Sequence, residues 1–387
     1  MIKKILEFIA RLQCMYPKMG FSIILIFTII MSIGVGNLQV QSDFSKENPR
    51  QLPAFVLTDR ISDEFGGENT VILLFEVEEY DENNLIDLRN AEFVDFTKKL
   101  SQTLVQDSRV IATSSIGSIA KGVDLKSDED VLAFLKNVPA TDSLFSKDYR
   151  MTILTITTSI GGAYEDVVPF QQMIEEKIKS VGVPGGVKYT LTGFPPFGKV
   201  IRETVFSDAL KTISIAALGI LLLLVLTEKS FTKAFIIFIP LIFALIWTGG
   251  ALGFSGMKLS IASVALGSII LGLGVEYGVF MLTRYNEERF INQKNQITAN
   301  SITVSSIGLA LLGSGTTTIA GFLALTFSIT PMMQVLGISL ATGIFFCILS
   351  AILVTPLLII LHEDYEKYSL NQTIDEKNAK HAYLNRR

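Results

Sequence analysis

One carboxylic acid lies inside an otherwise apolar stretch of this sequence, at Glu276. The stretch 259–283 carries no other charged side chain, and Arg284 follows directly after it. At 1.5 Å per residue, a helix places Glu276 about 12 Å from that arginine. An unpaired carboxylate in hydrocarbon costs roughly 2.5 kcal/mol or more, so the group must be protonated, paired or hydrated. A carboxyl group whose charge depends on local water can take up a proton on one side of a membrane and release it on the other.

Small and hydroxyl side chains recur near this acid. Gly272 precedes Glu276 by one helical turn on the same face, so a neighbouring backbone can approach closely there. The stretch 303–328 carries two rows at four-residue spacing, which are Gly313, Thr317 and Gly321, with Ser314 and Thr318 beside them. We expect these hydroxyls to hydrogen-bond Glu276. The alternatives are plain helix packing for the rows and a permanently neutral, structural role for the acid.

Tyr277 can relay a proton or fill a gap beside Glu276. The predicted relay therefore comprises Glu276, Tyr277, Thr317 and Thr318. The glycines predicted to pack helices around it are Gly272, Gly274, Gly313 and Gly321.

Six apolar stretches are long enough to cross a bilayer, which takes about 20 residues. They are 19–36, 209–226, 234–254, 259–283, 303–328 and 332–361. The last is long, so we expect it to tilt or to break before Pro356. Hydrophobic residues make up 49 % of the chain and charged residues 18 %, without a basic stripe that would indicate nucleic-acid binding. The composition predicts an α-helical membrane protein with six transmembrane helices.

Lysine and arginine cluster in alternate connecting segments. They occur in 1–18, 227–233, 284–302 and 362–387. The positive-inside rule therefore predicts that both termini are cytoplasmic, in a protein of the plasma membrane. With the apolar stretches above, this orientation gives a first helix at 19–38, an extracytoplasmic domain at 39–208 and a five-helix bundle at 209–361. Trp247 and Lys258 are expected to anchor the outer interface.

The N-terminal segment 1–18 is predicted to contain an amphipathic helix. Apolar residues recur at helical spacing at Ile2, Ile5, Ile9 and Leu12, with charged residues between them. Such a helix anchors at the inner membrane interface.

The domain 39–208 alternates strand and helix patterns. Strands are expected at 70–77, 109–115, 149–159 and 188–192, and helices at 85–106, 128–136 and 166–181, with a further helix from about Lys199. Two strand–helix–strand units in succession predict an α+β domain of the ferredoxin-like, split-βαβ type between the first two transmembrane helices.

Two motifs carry a resemblance to a known family. The run GLGVEY at 272–277, followed by RYNEE at 284–288, resembles the Gly-xxx-Asp-Tyr and Arg-Tyr-x-Glu-Glu motifs in the fourth span of resistance-nodulation-division (RND) transporters. The run TTTIAGFLAL at 316–325 is also similar to that family. Span number and domain position agree, so the resemblance covers essentially the whole chain. It points to MmpL-like and hopanoid-exporter-like members, the hydrophobe/amphiphile exporters of the third family, which include archaeal forms.

The resemblance implies export of lipids or other hydrophobic, amphiphilic compounds driven by the proton-motive force. In the family, protonation of the fourth-span acid is linked to motion of the outer domain. Two departures matter here. The acid is Glu276 rather than aspartate, and the chain holds one half where family members usually hold two. A homodimer or higher homo-oligomer is therefore expected, in which two copies of Glu276 approach each other and are costly to ionise together.

Other functions stay open. A relative of the SecD/SecF translocation proteins has a similar layout, although the GLGVEY context and the size of the outer domain argue against it. A lipid-binding regulator like a sterol-sensing domain would not need a titrating Glu276. An intramembrane enzyme is disfavoured because the spans contain neither a His-Glu-x-x-His nor a Gly-x-Ser-x-Gly motif. With two distant cysteines and two histidines near the C-terminus, the sequence predicts no metal site, and it indicates no cofactor.

Overall fold

The computed structural model describes residues 1–41, 47, 49, 51–65, 69–78, 87–161 and 163–384. The chain divides into two compact units, the helical unit (Met1–Val40 with Phe206–Arg387) and the sheet unit (Gln41–Val205). In chain order the helices of the described residues are α1 (Ile2–Met15), α2 (Pro17–Val35), α3 (Pro53–Phe65), α4 (Ala91–Leu104), α5 (Ile116–Ile119), α6 (Asp128–Asn137), α7 (Tyr164–Val181), α8 (Phe194–Glu228), α9 (Phe231–Phe254), α10 (Leu266–Asn286), α11 (Gln296–Ala324) and α12 (Pro331–Leu384). The strands are β1 (Gln39–Val40), β2 (Asn69–Val77), β3 (Val110–Ser114), β4 (Met151–Thr158), β5 (Val187–Gly193) and β6 (Lys258–Leu259).

Six helical stretches among the described residues are long and apolar enough to cross a membrane, which confirms the predicted number of spans. They are Pro17–Val35, Ser207–Glu228, Phe231–Phe254, Ile261–Ile291, Gln296–Phe327 and Pro331–Tyr368. The predicted alternative of a break before Pro356 is wrong, because α12 continues through that residue. A proline removes one helical hydrogen bond, here to the carbonyl of Ile352. The side-chain amide of Gln13 donates to that oxygen at 3.0 Å and replaces the missing bond.

Three glycines bring α2 and α9 close together. A Cβ atom at Gly253 would collide with the backbone oxygen of Gly34, and one at Gly250 with the backbone oxygen of Met31. Only residues without a side chain allow this approach, which increases the dispersion contact between the two helices.

Trp247 lies in this packed region of the helical unit and not at an interface, so the anchoring prediction for it is wrong. The side chain is 1 % exposed, and its indole N–H donates to Thr28 Oγ1 at 2.9 Å. The apolar ring is therefore buried inside the protein, and its N–H group has a hydrogen-bond acceptor there.

The predicted N-terminal helix is present as α1. It packs against α11 and α12 through Leu6, Ala10 and Gln13, which are buried. Of the apolar residues used to predict the helix, Ile2, Ile5 and Leu12 are exposed and Ile9 is half-buried.

The sheet unit contains the four predicted strands in one sheet of order β3-β4-β2-β5, with antiparallel pairing throughout. Alternate residues of β2, namely Val71, Leu73 and Phe75, are fully buried and pack with apolar side chains of α4 and α7. The β2–β4 register pairs Leu73 with Leu154. One face of the sheet therefore carries the core of this unit.

The helix predicted at 85–106 begins later than expected. The side chain of Asn90 accepts a hydrogen bond from the Phe93 amide at 2.8 Å and starts α4 at Ala91. Residues 79–86 are outside the described residues, and Leu85 with them. The helix predicted from about Lys199 begins earlier, at Phe194, with two prolines in its first turn, where a missing amide hydrogen costs nothing.

Candidate proton site

Glu276 lies on an exposed face of α10. Gly272, Leu273 and Phe280 lie on the same face at helical spacing and are also exposed. A Cβ atom built on Gly272 would meet nothing within 4 Å. Among the described residues, the Glu276 carboxyl group has neither a hydrogen-bond nor an ion-pair partner. The acid is thus presented on the outside of a single helical unit, in an apolar segment.

The predicted partners on α11 also face outward. Gly313, Thr317 and Gly321 are exposed, and both glycines have open space where a Cβ would lie. Thr317 and Thr318 donate their hydroxyl hydrogens to the carbonyl of Ser314, at 2.6 and 3.2 Å. The expected hydrogen bonds to Glu276 are therefore not formed within one chain, because these hydroxyls are bonded to their own helix. Their role in a proton relay stays a prediction.

Tyr277 and Gly274 lie on the buried side of α10. Tyr277 is 4 % exposed and belongs to the apolar core of the helical unit. A Cβ at Gly274 would be 2.8 Å from both Cys347 Sγ and Leu241 Cδ2. Gly274 thus serves packing against α9 and α12. The residues of α10 that were predicted for the site are therefore divided between two sides of the helix. Glu276 and Gly272 lie on the exposed side, and Tyr277 and Gly274 lie on the buried side.

A network of charges at the end of α10 was not predicted. Glu363, on α12, accepts hydrogen bonds from the hydroxyl of Tyr285 and from the guanidinium of Arg289, whose Nη2 lies 2.6 Å from Oε1. Lys367 approaches the same oxygen at 3.0 Å. Two nitrogens of Arg289 donate to this one oxygen, so a carboxylate that is 12 % exposed joins the end of α10 to α12 through charge-assisted bonds.

A second carboxylate closes the turn after α10. Glu288 is 2 % exposed, and it pairs with Arg284 Nη2 at 2.6 Å and with Lys294. It lies in a π-helical turn, Glu287–Ile291, that follows α10 directly. The RYNEE motif is therefore structural at four positions, because Arg284, Tyr285, Glu287 and Glu288 all form hydrogen bonds or ion pairs here. In the sequence, the RYNEE motif was the feature that could have pointed to its members of the network. No local pattern marks Glu363, which follows the last apolar stretch.

Among the described residues, no group of three or more histidine, cysteine, aspartate or glutamate side chains is arranged to hold a metal ion.

Residues 60–367 match the MMPL family. A protein of Methanocaldococcus jannaschii described as a membrane protein is 29 % identical over 370 residues, which cover 94 % of this chain and 95 % of that protein. Membrane protein YdfJ of Bacillus subtilis is 29 % identical over 147 residues, and siderophore exporter MmpL5 of Mycobacterium tuberculosis is 23 % identical over 202 residues. These matches cover 36 % and 51 % of this chain, and 20 % and 21 % of the respective relative.

Proposed function

The chain belongs to the MMPL family of transmembrane transporters, and we propose that it uses protons to export lipids or other hydrophobic, amphiphilic compounds as a homo-oligomer. The observation that carries this proposal is that Glu276 is exposed on an apolar span and has no partner among the residues that the structure describes. Lipid is a poor surrounding for a carboxylate. A second copy that covers this face would supply polar neighbours and bring the two Glu276 side chains towards each other.

The small residues exposed on α10 and α11 support a protein partner at this face. These helices contact each other, and Gly272, Gly313 and Gly321 leave room for close approach of another backbone. By contrast, α8 exposes large apolar side chains such as Ile215, Leu218 and Leu222, which suit lipid.

We place residues 39–208 outside the cytoplasm, as a ferredoxin-like domain that contacts the exported compound. Support comes from the order β2-α4-β3-β4-α7-β5, in which α5 and α6 are inserted between β3 and β4, and from the strand order β3-β4-β2-β5. The lysine and arginine distribution supports cytoplasmic termini in the plasma membrane.

Proton flux in proteoliposomes tests the coupling. An imposed pH gradient should drive flux through the native chain and through Glu276→Asp, which keeps a carboxyl group, but not through Glu276→Gln. All three must be folded, as judged by identical elution in size-exclusion chromatography. Equal flux in native protein and Glu276→Gln contradicts proton coupling through this residue and favours a lipid-sensing function.

Disulfide crosslinking tests the partner copy. Phe280, one turn from Glu276, is 49 % exposed, and Ile215 on α8 is 71 % exposed. In a Cys14→Ser background, Phe280→Cys should form a crosslinked dimer in the membrane, and Ile215→Cys should not. A crosslink at Ile215 alone would place the interface elsewhere.

A further inference from the structure

The helix α1 presents three different surfaces. One is buried against α11 and α12 and carries Leu6, Ala10 and Gln13. With 3.6 residues per turn, these positions fall within about 60° of the helix circumference. The helix is docked on the bundle by this side, and most of its circumference stays open.

The second surface is apolar and exposed. Phe8 and Met15 are 62 % and 61 % exposed, and Ile5 and Leu12 share their side of the helix. This side is centred about 150° from the docked one. It continues into the exposed apolar residues at the start of α2, such as Met19 and Ile23, which belong to a candidate membrane span. An apolar stripe that continues a membrane span suits acyl chains.

The third surface is basic. Lys3, Lys4 and Arg11 are exposed on it, and Lys18 follows at the start of α2. Glu7 is the only acid in residues 1–18, so four cations less one acid leave a charge of +3. None of the four cations forms an ion pair with a described residue. Cations beside an apolar stripe match the arrangement of a phospholipid, in which phosphate groups lie next to acyl chains. A second copy of the chain is a poorer partner, because its own basic surface would repel these cations.

We propose that α1 binds anionic phospholipid of the adjoining leaflet, with its apolar surface among the acyl chains and its cations on the headgroup phosphates. The docked side transmits this attachment to the bundle. Asn300 Nδ2 of α11 donates to the carbonyl of Ala10 at 3.0 Å, and Gln13 bonds to the carbonyl of Ile352 in α12 at the same distance. The binding does not depend on the proposed transport function.

Fluorescence quenching by brominated lipids tests the proposal on the full chain in nanodiscs. Trp247 is the only native tryptophan and is buried, so it gives a constant background. Phe8→Trp places a probe on the apolar surface, and Glu7→Trp is the matched control on the basic surface. Bromine on the acyl chains should quench the Phe8→Trp signal more strongly than the Glu7→Trp signal.

The headgroup is tested with the same probe. At equal mole fraction, brominated phosphatidylglycerol should quench Phe8→Trp severalfold more than brominated phosphatidylcholine. Replacing Lys3, Lys4 and Arg11 by glutamine should abolish that preference. An unquenched Phe8→Trp would overturn the proposal, since water or a second copy would then cover α1. Equal quenching by the two lipids would overturn the recognition of anionic headgroups.

Discussion

The side-chain amide of Gln13 donates a hydrogen bond at 3.0 Å to the carbonyl oxygen of Ile352, which Pro356 leaves without a helical partner. The two residues are 339 positions apart in the chain. This bond explains both how α12 continues through a proline and why a polar side chain is buried on α1.

Gln13→Leu should lower the stability of the helical unit by about 1–2 kcal/mol, because a buried carbonyl loses its donor. The loss should be much smaller in a Pro356→Ala background, where a backbone amide can bond Ile352. Thermal unfolding of the four proteins of this double-mutant cycle measures the coupling. Gln296→Leu is the control, because it removes only a solvent-exposed hydrogen bond from a half-buried glutamine to Asp364. An equal loss in both backgrounds would show that Gln13 acts through other contacts.

Removing the carboxylate at Glu363 should loosen the end of α10. Glu363→Gln keeps the shape but weakens its bonds to Arg289, Tyr285 and Lys367, so we expect a loss of about 1–3 kcal/mol in thermal unfolding. Glu366→Gln is the control, because Glu366 is 63 % exposed and, within the described part of the chain, pairs with His362 alone. Similar unfolding temperatures for the two variants would contradict a structural role of the network.

A methyl group at Gly253 should be strongly destabilising. The added carbon would overlap the backbone oxygen of Gly34, and neither backbone can move without separating α2 from α9. We expect Gly253→Ala to cost at least about 2 kcal/mol, as overpacking does. Gly219→Ala, on α8, meets nothing within 4 Å and should be neutral or slightly stabilising. Equal unfolding temperatures for the two variants would disprove the close helix crossing.

Glycines on the two sides of the proton site should behave differently. Gly321→Leu enters open space in one chain, so it should leave the unfolding temperature of the monomer unchanged but weaken self-association. Gly274→Ala presses on Cys347 and Leu241, so it should lower the unfolding temperature directly. Mass photometry in nanodiscs and thermal unfolding separate the two effects. Full self-association of Gly321→Leu would exclude this face as an interface.

Much of the architecture was predictable from local patterns. Apolar stretches of about 20 residues leave few alternatives to membrane spans, and the run TVILLFEV at 70–77 is rich in residues that favour a strand. The motif around Glu276 located the candidate site for the same local reason, since an acid stands out in an apolar segment.

The sequence by itself therefore determined the six spans, the strands of the sheet and the position of Glu276 along its helix, because each follows from the spacing of residues a few positions apart. Only the tertiary structure decided which way each side chain faces: Glu276 outward, Tyr277 inward, Trp247 onto Thr28, and Gln13 onto Ile352. Such pairings join residues that are far apart in the chain. They depend on which helices become neighbours, and hydropathy does not specify that because every span is apolar on most sides.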